Sequence, residues 1–156
     1  MSGDITRGWG SSRLIKGSIC QTELDVTSST TFVNIPNMIH KLLGGMKYII
    51  RGHVTGTSGS SGGAKLAIAG DGVLTASQFT ATALNYNGTT LNAVSTTTTL
   101  GNAIGAATAV FTDFFFEGSI IVTKPGLLSV QLAQNVSNGT ATSALVGSTV
   151  EFIATV

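Results

Sequence analysis

The chain has 156 residues and a formal net charge of +1, and charged residues make up only 10% of it, against about 25% in ordinary soluble domains. This weak, balanced charge argues against nucleic-acid binding, which needs a dense basic surface, and the mean hydropathy of +0.38 argues against disorder. With two histidines, one cysteine and seven acids, but 23 Thr and 20 Gly, the composition favours a structural or binding protein over an enzyme.

We predict that residues 1–18 form an extended N-terminal arm. Glycine and serine separate its larger side chains, and it shows no sustained period of two or of about 3.6 residues. Tryptophan and arginine dominate interface hot spots, so this arm is a candidate contact with a partner; the alternative is an arm that folds back on its own oligomer. The candidate contact residues are Arg7, Trp9, Arg13 and Lys16.

The start of the chain carries no membrane signal. No apolar segment follows the basic residues of the first 18 positions, as a signal peptide requires. No apolar run approaches the roughly 18 residues of a membrane-spanning helix. We therefore expect no membrane partner.

From residue 19 onward the dominant period is two, as in half-buried strands. In residues 46–55, for example, Tyr48 and Ile50 share one face while Lys47 and Arg51 share the other. The same reasoning predicts strands at 19–26, 30–35, 64–69, 77–84, 91–98, 127–134 and 148–156, and two strands within 107–123, joined near Glu117-Gly118.

Turn residues lie between these segments. Asn87-Gly88 and Asn138-Gly139 are typical of type I′ hairpin turns, and Asp71-Gly72 is a third candidate. Lys124-Pro125-Gly126 predicts a tight turn with glycine in the left-handed region. The glycine- and serine-rich residues 56–63 predict a flexible loop.

Evidence for helices is thin. Only Asn37–Gly45 could form a turn or two of helix, because Pro36 precedes it and two glycines end it. Eight or more short strands with antiparallel connections instead predict an all-β protein, an antiparallel β-sandwich over residues 19–156 with a jelly roll as the leading topology.

The three consecutive phenylalanines 114–116 suggest a surface that another subunit covers. On a strand, Phe114 and Phe116 face one way and Phe115 the other, so one sheet face cannot hide all three. Ile49 and Ile153 also lie on the polar faces of their strands. We therefore predict a subunit interface at Ile49, Phe115 and Ile153; the alternative is a loop that covers Phe115.

Catalytic and metal-binding motifs are weak. Gly59–Gly63 matches the pattern G-x-S-x-G around Ser61, but a nucleophile elbow lies between a strand and a helix, and here a strand follows. His40 and His53 lack ligands at metal-binding spacing, and the lone Cys20 is typical of a buried, inert thiol. We expect no catalytic residue, metal or cofactor.

Four stretches together resemble a known family. The set resembles the β-sandwich domain of tailed-bacteriophage capsid decoration (cement) proteins, which also occurs at the tips of phage fibres. The resemblance covers roughly residues 30–156. The stretches are Leu42–Gly52, Gly62–Asp71, Gly118–Thr142 and Leu145–Val156.

The resemblance implies a homotrimer with a jelly-roll-like domain, no enzyme activity and no cofactor, bound to the major capsid protein on the outer surface of the virion. In such proteins terminal arms clamp neighbouring capsid subunits, a role that falls here on the four candidate residues of the arm. The alternative is the receptor-binding tip of a tail fibre or spike, in which residues 56–63 and the Asn-Gly turns would bind a host glycan. The chain has no collagen repeat and no heptads, which favours the decoration protein.

Overall fold

The computed structural model describes residues 15–155, which form two antiparallel sheets packed face to face. Every regular element in this range is a strand. The strands are β1 (Ile15–Ile19), β2 (Leu24–Val26), β3 (Val33–Leu42), β4 (Met46–Thr57), β5 (Ala64–Gly70), β6 (Thr75–Asn87), β7 (Thr90–Thr97), β8 (Ile104–Ala107), β9 (Asp113–Lys124), β10 (Gly126–Ala133), β11 (Thr142–Ala144) and β12 (Thr149–Thr155).

The strand pairing is nested along the chain. The larger sheet has the order β1-β12-β4-β9-β6-β7, with β11 beside β4 and β2 beside β11, and the smaller sheet has the order β3-β10-β5-β8. Strands β1, β3, β4 and β5 therefore pair with β12, β10, β9 and β8, in reverse order. A long antiparallel ribbon wrapped in this way is a jelly roll. The predicted β-sandwich is confirmed, and the hairpin β6–β7 is inserted between β5 and β8.

The core lies between the two sheets and is built from the inward positions of the alternating strands. On β4, Tyr48, Ile50 and Val54 are fully buried, as their period of two predicts. The tyrosine hydroxyl is satisfied at its buried end, because Tyr48 Oη accepts the Leu43 amide at 2.9 Å. Buried polar groups need such partners. Because of this hydrogen bond, the Tyr48 hydroxyl is not left unsatisfied in the core.

The predicted helical turn at Asn37–Gly45 is wrong, because residues 33–42 form β3. Proline is tolerated there since β3 is an edge strand. The pairing of β3 with β10 is also interrupted, and residues 35–38 bulge out between the pairs Asn34–Gln131 and Ile39–Ser129. Asn37 takes a φ of 64° in this bulge, a region in which asparagine is enriched.

The predicted division of residues 107–123 near Glu117-Gly118 is also wrong. Strand β9 runs through this point without interruption, and β8 precedes it as a separate short strand. Gly118 does not form a turn; instead it allows β9 and β6 to approach each other closely. A Cβ atom at this position would lie 2.3 Å from the carbonyl oxygen of Thr80 on β6.

Of the two predicted Asn-Gly hairpins, one is confirmed in position and one is wrong. Asn87 pairs with Thr90, so Gly88 and Thr89 form the loop rather than Asn87 and Gly88. Gly88 takes a φ of 58°, but Asn87 lacks the positive φ of the predicted type I′ turn. Asn138-Gly139 does not close a hairpin, because it connects β10 in the smaller sheet to β11 in the larger one. Residues 71–72 and 124–126 likewise connect the two sheets.

Of the glycine- and serine-rich residues 56–63, the first two end β4, and residues 58–63 form a hydrogen-bonded turn rather than an open loop. The amides of Gly62 and Gly63 donate to the Gly59 carbonyl at 3.3 and 3.2 Å, and the Gly62 carbonyl accepts the Val136 amide at 2.9 Å. Thr142 Oγ1 donates to the Gly63 carbonyl at 2.8 Å. The composition alone predicted flexibility, but the tract is packed against the neighbouring loop.

The predicted boundary between arm and sandwich at residue 18 falls inside β1. Residues 15–19 pair with β12 along their whole length. A run of five residues is too short for its alternation to stand out in the sequence. The rest of the predicted arm, including Arg7, Trp9 and Arg13, lies outside the described residues.

Substitution of Gly52 tests the close packing of the core. A Cβ atom at Gly52 would lie 2.0 Å from Phe116 Cζ, so Gly52→Ala must displace this buried ring. We expect a loss of about 1–3 kcal/mol in the free energy of unfolding, measured by urea denaturation. Gly17→Ala is the control, because its Cβ would have no neighbour closer than 3.7 Å. Equal urea midpoints for the two variants would contradict this packing.

Candidate interaction face

The outer face of the larger sheet, the side turned away from the smaller sheet, carries a row of isoleucines. Ile15 of β1 lies opposite Ile153 of β12, which lies opposite Ile49 of β4. Side chains opposite each other in a sheet are about 4.5–5.5 Å apart at Cβ, so the three pack as one stripe. Ile15 is 57% exposed, and the other two are half-buried. We call this stripe the isoleucine row.

A second row crosses the outer face four residues further along β4. Phe115 and Val94 in this row are 47% and 57% exposed. Cross-strand neighbours of this kind contribute to sheet stability, but their outer surfaces remain in water. We call this second row the aromatic row. Its members, one from each of six strands, are Ile19, Thr149, His53, Phe115, Leu84 and Val94.

The three phenylalanines divide between the two faces as the strand geometry predicts. Phe114 is fully buried and Phe116 is 4% exposed, whereas Phe115 points outward. Side chains of adjacent strands cover part of Phe115. The His53 ring stacks parallel to it, with centroids 4.5 Å apart, and Tyr86 meets it edge-on at 5.9 Å. About half of the phenyl ring stays open to solvent.

A hydrogen-bond network holds the His53 ring in place. Asp113 Oδ1 lies 2.7 Å from His53 Nε2 and accepts the Thr55 hydroxyl at 3.0 Å, while Oδ2 accepts the Thr112 hydroxyl at 2.8 Å. Burial opposes ionisation of Asp113, but these hydrogen bonds outweigh it and lower the pKa of the carboxyl. The histidine and aspartate therefore build a rigid support under Phe115.

Charges separate the two rows. Arg51 of β4 lies between Glu151 of β12 and Glu117 of β9 in one cross-strand register. Beside it is a shallow hollow of about 220 Å³ whose lining includes Arg51, Leu84, Phe115 and Glu117. The charged row and the hollow therefore interrupt the apolar part of the outer face.

The structure brings the three predicted interface residues onto this one face. Ile49 and Ile153 are direct neighbours, and Phe115 lies across from His53, four residues along β4 from Ile49. The sequence reasoning missed Leu84 and Val94. Continuing the alternation of residues 77–84 would have placed Leu84 with the outward threonines Thr80 and Thr82.

Lys16, the predicted arm residue within the described range, lies on β1. Its Nζ donates to the Lys41 carbonyl at 3.1 Å, so this ammonium already bonds within the domain. Of the other singled-out residues, Cys20 is fully buried and its Sγ donates to the Thr22 carbonyl at 3.0 Å. Ser61 is exposed.

His40 lies on β3, not in the predicted turn. Its ring meets Phe152 edge-on at 5.1 Å, and Nε2 is buried without a hydrogen-bond partner. Burial, followed by the nearby Lys16 charge, lowers the pKa of His40. The residue is thus a packing element between β3 and β12.

Two kinds of feature, grouped metal ligands and membrane-spanning helices, were sought in the described part of the chain. Within residues 15–155 no three His, Cys, Asp or Glu side chains are grouped to hold a metal ion. In the same range there is no helix of the length and apolarity that a membrane crossing needs.

No family model and no curated protein matches the chain. Among solved structures it is similar to the VP2 subviral particle of infectious bursal disease virus, at 11% identity and a TM-score of 0.23, over 93% of this chain and 42% of that one. A structure of the Gx strain of that virus gives 12% identity and a TM-score of 0.25, over 92% and 41%. The chain thus spans about two fifths of these proteins. TM-scores this low assign neither a family nor a function.

The pKa of His40 predicts a pH dependence of stability. Since the pKa of His40 in the folded state lies below the ordinary histidine value of about 6.5, the unfolded chain takes up this proton first as the pH falls. The free energy of unfolding therefore decreases as the pH drops below about 6.5. His40→Gln should remove part of this slope, measured as urea midpoints at several pH values from neutral to about pH 5. Parallel pH profiles for the wild type and the variant would refute it.

Proposed function

We propose that the chain is a capsid decoration (cement) protein of a tailed bacteriophage, which binds the outer surface of the capsid as a homotrimer and stabilises the shell. The observation that carries this proposal is the outer face of the larger sheet. Its two apolar rows are arranged in register and open to water, where a protein that functions alone would place polar side chains.

Exposed apolar side chains cost free energy that association recovers. Full burial of a Phe or Ile side chain is worth about 1.5–3 kcal/mol, so covering the half-exposed Phe115 recovers about half of that. Single exposed apolar residues are ordinary, but contiguous patches mark interaction sites. The isoleucine row spans β1, β12 and β4, and the aromatic row crosses the face from β1 to β7, so together they place apolar side chains on all six strands.

The weak charge supports the same proposal. Copies of a nearly neutral protein with a threonine- and serine-rich surface do not repel one another at long range. They can therefore lie close together on one particle. We propose that each trimer forms through Ile49, Phe115 and Ile153, and that Arg7, Trp9, Arg13 and the base of the arm at Lys16 contact the major capsid protein.

The stabilising mechanism is added buried area. A trimer that bridges neighbouring capsid subunits adds contacts, each burying about 1,000 Å² or more, that must break before the shell opens. Stabilisation then grows with occupancy by mass action. No catalytic step, cofactor, nucleic acid or membrane takes part in this function.

Polar substitution of the outer face tests the trimer. The double variant Ile49→Thr and Phe115→Thr should shift the native mass at micromolar concentration from trimer to monomer, because it removes apolar area from both rows. Threonine suits a strand, so the variant should stay folded. Val146→Thr is the control, since Val146 is 59% exposed in the turn before β12. A wild-type protein that is monomeric under these conditions would refute the trimer.

Trp9→Ala tests attachment through the arm. We expect fewer copies per particle by gel densitometry, and a smaller rise in the melting temperature of the shell, with the trimer mass unchanged. The reason is that truncation of a tryptophan hot spot costs about 2 kcal/mol or more. Wild-type occupancy of the variant would exclude Trp9 as an anchor.

A receptor-binding fibre tip is the second candidate function. A hollow of about 450 Å³ on the outer face has a polar lining of hydroxyl and amide side chains, which are groups that bind sugars. A tip protein would be scarce in particles and would bind host cells, whereas a decoration protein is abundant. The lining includes Ser77, Gln78, Thr80, Thr98 and Ser119.

A further inference from the structure

The charges of this nearly neutral chain are segregated along the long axis of the sandwich. The terminal end, as we define it, comprises Ile15, Thr155 and the turns β3–β4, β5–β6 and β9–β10, which the strand register places together. The opposite end carries Glu23, Asp25 and Asp113 with Lys65. The terminal end carries Asp71 and four lysines: Lys16, Lys41, Lys47 and Lys124.

Three large aliphatic side chains are exposed at the terminal end, Leu43 and Val73 in two of its turns and Leu127 at the start of β10. Leu43 is 45% exposed, Val73 50% and Leu127 43%. The turns are contiguous. Lys41 lies opposite Leu127, and a Cβ atom on Gly44 would touch Pro125 at 3.1 Å. Basic and apolar side chains therefore share one surface.

The single acid of this end is occupied by backbone hydrogen bonds. Asp71 Oδ1 accepts the amides of Val73 and Leu74 at 2.9 and 2.8 Å, and Oδ2 accepts the amide of Leu127 at 2.9 Å. The bonds from Leu127 and Leu74 are the main causes that lower the pKa of Asp71. Asp71 thereby holds Val73 beside Leu127. Its carboxylate is bound to backbone amides and forms no ion pair with the four lysines.

The sequence that precedes Ile15 carries more basic than acidic residues. Residues 1–14 contain Arg7 and Arg13 but only Asp4 as an acid, and the chain joins the fold at Ile15. Fourteen residues span at most about 50 Å when extended. The segment thus starts from the surface that holds the four lysines.

We infer that the terminal end is the docking surface of this protein, and that it binds an acidic, partly apolar protein surface. On the proposed function, on which this inference rests, that partner surface is the outside of the capsid shell. Lysines at the rim give charge complementarity, and the three aliphatic side chains supply the area to be buried. A nucleic acid would contact the lysines but would leave the aliphatic side chains unused.

Charge reversal at the two ends tests the inference on the full-length protein. Binding is measured to shells of the phage that encodes the protein, prepared without it. Lys124→Glu should weaken binding about tenfold or more, equivalent to about 1.4 kcal/mol, and should reduce the salt dependence of binding. Lys65→Glu, at the opposite end, is the matched control and should bind as the wild type does.

An apolar pair completes the test. Leu43→Ser should weaken shell binding, whereas Val136→Ser should not, although Val136 is exposed to the same degree, 47%, in the loop between β10 and β11. Native mass measurements check that all four variants keep the wild-type oligomeric state. Docking through the terminal end is supported if Lys124→Glu and Leu43→Ser lose shell binding while Lys65→Glu and Val136→Ser retain it.

The contrary outcomes are distinct. Wild-type shell binding by Lys124→Glu and Leu43→Ser overturns the inference but leaves the proposed function standing. A wild-type protein that does not bind the shells overturns the proposed function and this docking assignment with it. If the wild type binds duplex DNA and Lys124→Glu does not, the partner is a nucleic acid, and the inference of a protein partner is overturned. If the wild type forms head-to-tail chains at low salt and Lys124→Glu does not, the partner is a second copy of this chain, and docking to the shell is overturned.

Discussion

The register of the larger sheet decides which side chains of this protein meet water. Because side chains alternate on a strand, a slip of one residue would exchange every inward and outward position. The nested pairing of the jelly roll sets that register between strands far apart in sequence, such as β1 and β12. It aligns Ile15, Ile153 and Ile49 into one stripe and places Phe115 beside His53. The apolar rows are thus a product of topology.

Two aspartates form hydrogen-bond networks beside exposed apolar side chains. Asp113 and His53 support an exposed phenyl ring, and Asp71 holds two turns together through backbone amides. In each case a carboxylate is occupied by hydrogen bonds, which is why its pKa is lowered. Both networks stiffen the region beside an exposed apolar side chain. Rigid anchors lose less entropy on association, so this arrangement suits recognition by contact.

Three errors of sequence reasoning share one physical cause. Glycine, proline and asparagine mark turns when only neighbouring residues are considered, but tertiary contacts also select them. Pro36 lies in an edge-strand bulge, and Gly118 lets two strands approach within a continuous β9. Asn138-Gly139 crosses from one sheet to the other because its flanking strands pair elsewhere. The residue type at these positions indicates an unusual backbone conformation or a close contact. It does not show which tertiary contact requires that residue.

The sequence by itself determined the fold class, most strand positions and the outward direction of Phe115, Ile49 and Ile153, because all of these follow from a period of two within single strands. Only the tertiary structure decided which outward residues are neighbours, since cross-strand register is a property of pairs of distant segments. The net charge of +1 does not reveal the separation of basic and acidic residues between the two ends. That separation also depends on which distant segments lie together in the fold. It arises when folding brings Lys16, Lys41, Lys47 and Lys124 to one end of the sandwich.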